Sequence, residues 1–254
     1  MSGLFAALGA LSIPAAAAGF LLCAFSDSET GIFAPRGIAA LLPAALPVLL
    51  LAAAHTASRL YIKDLHHRAP QRTPAVRALF FMGAAALVSE LPALAQTFLQ
   101  AADGRTLLTA ASLVFEALFA AWLLLQTFGL PEPKTDTVAS LWYAVPAAGC
   151  SVRLLCCFFA APVNPRDIRS MAQLLTLCAL AVLWQRLLQH RVQNSEQSAL
   201  ALLRSALGTL YFMAGMLLPS LLLHAPLSDV LRTAALCLCG WAAAGSCFGA
   251  EAEA

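Results

Sequence analysis

Charge is scarce in this chain. Only 11% of its 254 residues are Asp, Glu, Lys or Arg, against about a quarter in soluble domains. No hydrophilic interval runs beyond about twenty residues, well short of the ~50 that a small independent domain needs. A separate soluble domain is thereby excluded, and any chemistry must lie between apolar helices or on short surface loops. The net charge of +2, with no Lys/Arg run interleaved with aromatics, excludes a nucleic-acid partner. H-E-x-x-H, G-x-S-x-G and G-x-x-x-x-G-K-[ST] are all missing, so zinc-protease, serine-hydrolase and nucleotide-hydrolysis readings lack their carriers. The eight cysteines fall within or at the ends of apolar segments, where free cysteine behaves as a small hydrophobe. Neither a disulfide framework nor a cofactor is expected, and Cys237-x-Cys239, the nearest thing to a soft metal pair, has no His or second pair at zinc-finger spacing. The opening "MSGLF" puts no basic residue before its apolar run, so that run is read as a helix rather than a cleaved secretory signal, although "AAAAG" at 15–19 resembles a cleavage site.

What is present is apolar helix. Hydrophobic residues make up 61% of the chain, and the ~20 apolar residues needed to cross a ~30 Å hydrocarbon core recur at Gly3–Phe25, Gly37–Leu60, Ala78–Ala102, Leu107–Leu130, Val138–Ala161, Met171–Leu188, Leu203–Leu223 and Val230–Phe248. The expectation is an all-α polytopic membrane protein of about eight spans in contact with the lipid bilayer. Counting connections, Arg59, Lys63, Arg68, Arg72, Arg77, Lys134, Arg186, Arg191 and Arg204 fall on one side, and Arg36, Arg105, Arg166, Arg169 and Arg232 on the other. The positive-inside rule puts the richer side, and both termini, in the cytoplasm. The bacterial cytoplasmic membrane is the expected location. The basic stretch 59–77 is a candidate surface for anionic lipid or a protein partner.

Repeats subdivide the chain. "IPAAAAGFLLCAF" at 13–25 is echoed by "VPAAGCSVRLLCCFF" at 145–159, "APRGI" at 34–38 by "NPRDI" at 164–168, "FFMGAAALVSELP" at 80–92 by "YFMAGMLLP" at 211–219, and "LLTAA" at 107–111 by "LRTAA" at 231–235. Four collinear echoes about 130 residues apart point to a duplication; chance matches between Ala/Leu-rich segments are the competing explanation. Residues 1–130 and 137–254 then form two four-helix halves joined by the linker 131–136. An even number of helices makes the halves parallel, as in one class of transporter.

Three charges stand well within these spans, away from their ends: Glu90 in "LVSELPAL", Glu116 in "LVFEALFA" and Arg153 in "SVRLLCCFF". A central Arg costs about 2.5–3.5 kcal/mol on insertion scales, so an unpaired Arg153 would be an expensive feature. At 1.5 Å per residue Glu116 lies about 14 Å and Arg153 about 12 Å from the same end, with Glu90 about 18 Å in; Glu116 is therefore the expected partner. Two carboxylates against one guanidinium leave a negative surplus that burial disfavours, which assigns Glu90, the deeper acid, as the group that takes a proton or cation. Pro92 has no N–H for the Val88 carbonyl, so Val88 joins Glu90, Glu116 and Arg153 as a candidate substrate- or ion-binding position. Pro219, Pro14 and Pro146 would similarly release the carbonyls of Gly215, Ala10 and Trp142. Gln96, Gln126, Gln173 and Gln185 are read as interhelical hydrogen-bonding groups, and His55, His66, His67 and His190 as solvated residues of the cytoplasmic connections.

Three functional readings follow. The first is a small-molecule or ion transporter with a buried Glu/Arg site and no enzymatic activity. The second is a non-transporting membrane subunit, sensor or scaffold in which the same charges lock helices together. The third is an intramembrane enzyme using the two carboxylates as acid and base, which no spacing selects.

Overall fold

The structure, a computed structural model, describes residues 52, 73–100, 106–129, 136–160, 168–193, 195–222 and 227–247. Apart from Ala52, the spans expected at Gly3–Phe25 and Gly37–Leu60, the kink at Pro14, and His55, His66 and His67 lie outside the described residues. The other six expected spans are helical: α1 (Pro74–Val88) and α2 (Leu91–Gln100), two pieces of one broken span; α3 (Thr106–Thr127); α4 (Asp136–Ala160); α5 (Ile168–Gln193); α6 (Glu196–Leu222); and α7 (Leu227–Ser246). Among the described residues there is no strand. Three of the stretches, Pro74–Gln100, Leu107–Thr127 and Leu141–Phe159, are long and apolar enough to cross a membrane.

Local chemistry sets the ends. Thr73 caps α1, its Oγ1 accepting from the Val76 N–H at 3.4 Å, with Pro74 in the first turn, where a missing N–H costs nothing. The span expected to run unbroken from Ala78 to Ala102 breaks at Ser89–Glu90. Pro92 removes the donor that would hold Val88 in the helix. The Ser89 hydroxyl donates to the Ala86 carbonyl at 2.7 Å, and the Glu90 N–H tightens onto Leu87 at 3.0 Å before the chain resumes at Leu91. Pro146, by contrast, lies inside an unbroken α4, and α6 continues past Pro219 to Leu222. At the end of α3, Gly129 adopts a φ of 71°, the left-handed geometry that lets a helix stop there.

Two helices outrun their apolar segments. Expected at Met171–Leu188 and Leu203–Leu223, α5 continues to Gln193 and α6 starts at Glu196. The turn between them is built by reciprocal bonds: the Ser198 N–H donates to Ser195 Oγ at 3.2 Å and the Ser195 N–H to Ser198 Oγ at 3.1 Å, a serine version of the capping box. His190 Nδ1 lies 2.9 Å from the same Ser198 hydroxyl. This corrects the reading of His190 as solvated: it is 4% exposed and tied into the turn.

The helices close into a ring. α1 packs on α3 and α7, α3 on α4, α4 on α5, α5 on α6 and α7, and α6 on α7. At its centre Trp184 of α5 is fully buried. It meets Phe119 and Trp122 of α3 edge-on, each at 5.5 Å between ring centroids, and Trp122 in turn meets Tyr143 of α4 at 5.8 Å and Phe80 of α1 at 6.2 Å. T-shaped pairs of this kind add about 0.5–1.5 kcal/mol beyond the area they bury. The outward faces are apolar too, with Phe81, Met82, Val114, Leu118, Leu141, Leu155, Phe158 and Phe159 exposed. Large apolar side chains facing outward over several helices mark a surface that meets something other than water, which is compatible with a membrane protein.

Candidate functional site

Four charged side chains converge near one end of this ring. Glu90 comes from the α1–α2 break, Glu116 from α3, Arg153 from α4 and Arg232 from the second turn of α7. Gly149, one turn before Arg153, is what brings α4 close to α3. A Cβ there would sit 3.3 Å from Phe119 Cβ and 3.4 Å from the Phe115 carbonyl oxygen, so only glycine allows this approach at no cost. The close passage places Arg153 beside Glu116, while the broken span lowers Glu90 to the same level.

Arg153 presents two nitrogens to Glu90: Nη2 donates to Oε1 at 2.8 Å, and Nη1 donates to Oε2. This is the fork geometry that suits guanidinium and carboxylate. Nη1 also reaches Glu116 Oε1 at 3.2 Å. The pairing of Arg153 with Glu116 expected from helix depth is thus present, and the correction is to its share: Glu90 takes the fork, and Glu116 has a single contact with Arg153. Depth along the chain misses the share of Glu90 because it runs a straight helix through Ser89–Glu90, where the chain turns.

The second correction concerns charge. Arg232, assigned by sequence to an outer connection, lies in α7 and brings Nη1 to within 3.4 Å of Glu90 Oε1. Among the described residues, two carboxylates therefore face two guanidiniums, where the sequence alone places one. The signs alternate along the contacts in the order Arg232, Glu90, Arg153, Glu116. A signal for Arg232 was present in "VLRTAALCLCGW": the arginine sits at the start of an apolar helix and can extend its side chain along the helix toward the interior.

Glu116 is the most enclosed of the four, with 5% of its side chain exposed against 12% for Arg153, 15% for Glu90 and 27% for Arg232. Its Oε1 accepts from Ser112 Oγ at 3.4 Å as well as from Arg153. Its Oε2 is buried with no hydrogen-bond partner, and so is the Nε of Arg153. An unmatched buried polar atom costs about 1–3 kcal/mol, and more if charged. That marks Glu116 as the group with something left to bind.

The cluster lines a cleft of about 260 Å³. Ala93, Leu94 and Thr97 of α2 form one wall; Ser112 contributes from α3, and Cys156 and Cys157 from α4. Val88, singled out for its carbonyl, is not among these lining residues, and its side chain is exposed at the end of α1. The two cysteines were not singled out as site residues because nothing in "RLLCCFF" says which helix face turns toward a cleft. Among the described residues no group of three or more His, Cys, Asp or Glu stands together as a metal site. Of the glutamines expected to bond between helices, Gln126 is buried at the opposite end of the ring beside Tyr143 and Arg191, whereas Gln96 and Gln185 are exposed. Compared with known protein families, curated proteins and solved structures, the chain matches none of them.

Proposed function

We infer that this chain is an integral membrane protein of about eight spans, organised as parallel halves 1–130 and 137–254 around the linker 131–136, which moves a small molecule or ion through a polar cleft between them. The observation that carries the reading is the buried, unpartnered Oε2 of Glu116 in a cleft of about 260 Å³. Intramembrane ionisable groups that face a cavity are characteristic of ion and substrate pathways. Both carboxylates come from the first half and both guanidiniums from the second, so relative movement of the halves would change every contact in the cluster.

Within this reading we assign the roles differently from those first drawn from depth, on the support of the contacts above. Glu90, held by both arginines, orients Arg153. Arg153 is the counter-ion or anion-holding group, and Glu116 takes the coupling proton or cation in place of Glu90. The end that carries Arg77, Arg186 and Arg191 is the cytoplasmic one. The basic stretch 59–77, of which Arg77 stands exposed in α1, contacts anionic lipid or a partner there. No catalytic chemistry is assigned to the two carboxylates.

The alternative is a non-transporting subunit or sensor whose charges fix helix packing. The Arg153–Glu90 fork favours it, since a well-made buried pair does this without any ligand. The two are separated in reconstituted vesicles by uptake of a panel of small solutes and ions. Transport by the wild type that fails in Glu116→Gln, with folding retained, supports the transporter. A wild type that moves nothing, with Glu116→Gln and Arg153→Leu changing only thermal stability, selects the structural role.

A further inference from the structure

We propose that the ion resident in this site is a proton on Oε2 of Glu116, so that Glu116 rests as a neutral carboxylic acid beside an ionised Glu90. The proposal rests on the transport reading above and names its coupling ion as a proton, not a metal cation.

The first ground is a difference between the two acids. Both oxygens of Glu90 accept from guanidinium nitrogens: Oε1 from Arg153 Nη2 at 2.8 Å and Arg232 Nη1 at 3.4 Å, and Oε2 from Arg153 Nη1. A carboxylate, which accepts at both oxygens, is bound in this way. Glu116 is held by one oxygen alone. Its Oε1 accepts from Ser112 Oγ at 3.4 Å and from Arg153 Nη1 at 3.2 Å, whereas Oε2 is buried without a hydrogen bond. A protonated carboxyl has one oxygen that accepts and one that carries the hydrogen, and both donors have gathered on the same oxygen. A bare anionic oxygen, with neither solvent nor donor, is the costlier arrangement.

The second ground is proximity. Glu90 Oε2 and Glu116 Oε1 accept from the same nitrogen, Nη1 of Arg153. Like charges this close disfavour ionisation of both acids, and Glu90, which has the fork, is the one whose charge is matched. Among the described residues, α4 also carries the thiols of Cys150, Cys156 and Cys157, Arg232 of α7 reaches the cluster through Glu90, and the α2 wall has no ionisable side chain.

The third ground is size. A hard metal cation is held by several oxygen ligands at once, and at Oε2 it would share the carboxyl with the Arg153 guanidinium. A proton needs one lone pair. When the halves move and Arg153 turns from Glu90 to Glu116, the O–H bond breaks, the proton passes to water in the cleft, and the carboxylate so formed takes the guanidinium.

The test is infrared difference spectroscopy on the full chain in lipid nanodiscs, where the carbonyl stretch of a protonated carboxylic acid stands apart from the carboxylate and amide bands and shifts in D2O. Near neutral pH the wild type should show this band, Glu116→Gln should lose it and Glu90→Gln should keep it. Adding sodium or potassium chloride should leave it unchanged. Glutamine at position 116 has the shape of the neutral acid, so that variant should unfold at the wild-type midpoint. In vesicles, uptake from the solute panel should fall at least tenfold when the proton gradient is collapsed. A missing band, a band that survives Glu116→Gln, or displacement of the band by either salt overturns the proposal. Uptake that does not depend on the proton gradient also overturns it, leaving the transport reading in place. If the band behaves as stated and no solute moves, the transport reading falls, and the coupling role of the proton falls with it.

Discussion

Removing Arg153 while leaving its two acids should be far more damaging than removing the acids with it. In Arg153→Met the carboxylates of Glu90 and Glu116 lose the nitrogen they share, and Glu90 keeps only the 3.4 Å contact with Arg232 within this cluster. Leaving a buried charge uncompensated costs about 3–5 kcal/mol, and the low exposure of both acids, 15% and 5%, keeps solvent from absorbing much of it. Glu90→Gln in the same background should recover a large part. A double-mutant cycle then gives a coupling of about 2–3 kcal/mol for Arg153 with Glu90, the upper end for neighbouring groups, because two nitrogens engage that carboxylate. For Arg153 with Glu116, joined by one 3.2 Å contact, about 1 kcal/mol is expected. The assay is unfolding of the purified protein by titrated SDS in mixed micelles, followed by tryptophan fluorescence. A Glu116 coupling larger than the Glu90 coupling, or no coupling in either cycle, would refute the assigned geometry.

Other consequences follow from single residues. Gly149→Ala brings a methyl group to 3.3 Å from Phe119 Cβ and 3.4 Å from the Phe115 carbonyl oxygen, neither of which can move without its helix; about 1–3 kcal/mol should be lost, seen as a lower unfolding midpoint. Trp184→Ala removes the fully buried ring that meets Phe119 and Trp122 and should cost about 3–5 kcal/mol, enough to make the loss of the folded fraction visible by size-exclusion chromatography. Ser198→Ala deletes the hydroxyl shared by His190 and the Ser195 N–H. A loss of about 1–2 kcal/mol, with faster backbone hydrogen exchange confined to the α5–α6 turn, checks that this hydroxyl anchors the turn.

The helices were legible in the sequence because apolar runs of bilayer length have few other solutions, and the three interior charges were legible because each interrupts such a run. Pro92 correctly marked the weak point beside Glu90. The Arg153–Glu116 contact was legible from depth, but the share of Glu90 was not. Helical position advances about 100° per residue, so a break of two residues at Ser89–Glu90 redirects the carboxylate and changes its depth, and no count along the chain includes that turn. Arg232 was missed because, only two residues inside the expected span Val230–Phe248, it was counted with the outer connection, although a guanidinium on a three-carbon stem reaches well past its own Cα. The polar ends of α5 and α6 were lost for the same reason: Arg191 stacks over the Tyr143 ring at 5.0 Å and His190 bonds Ser198, contacts that sustain helix where apolar composition has already ended.

The claim on which the account stands is that the four charges meet in a confined cleft within the bundle rather than at an open aqueous boundary. Cys156 lines that cleft and reports on it directly. In a variant that keeps Cys156 as the sole cysteine, reconstituted in lipid, labelling by a small methanethiosulfonate should proceed while a bulky maleimide conjugate reacts at least a hundredfold more slowly. Equal and rapid labelling by both reagents would place the cluster at an open surface and contradict the account.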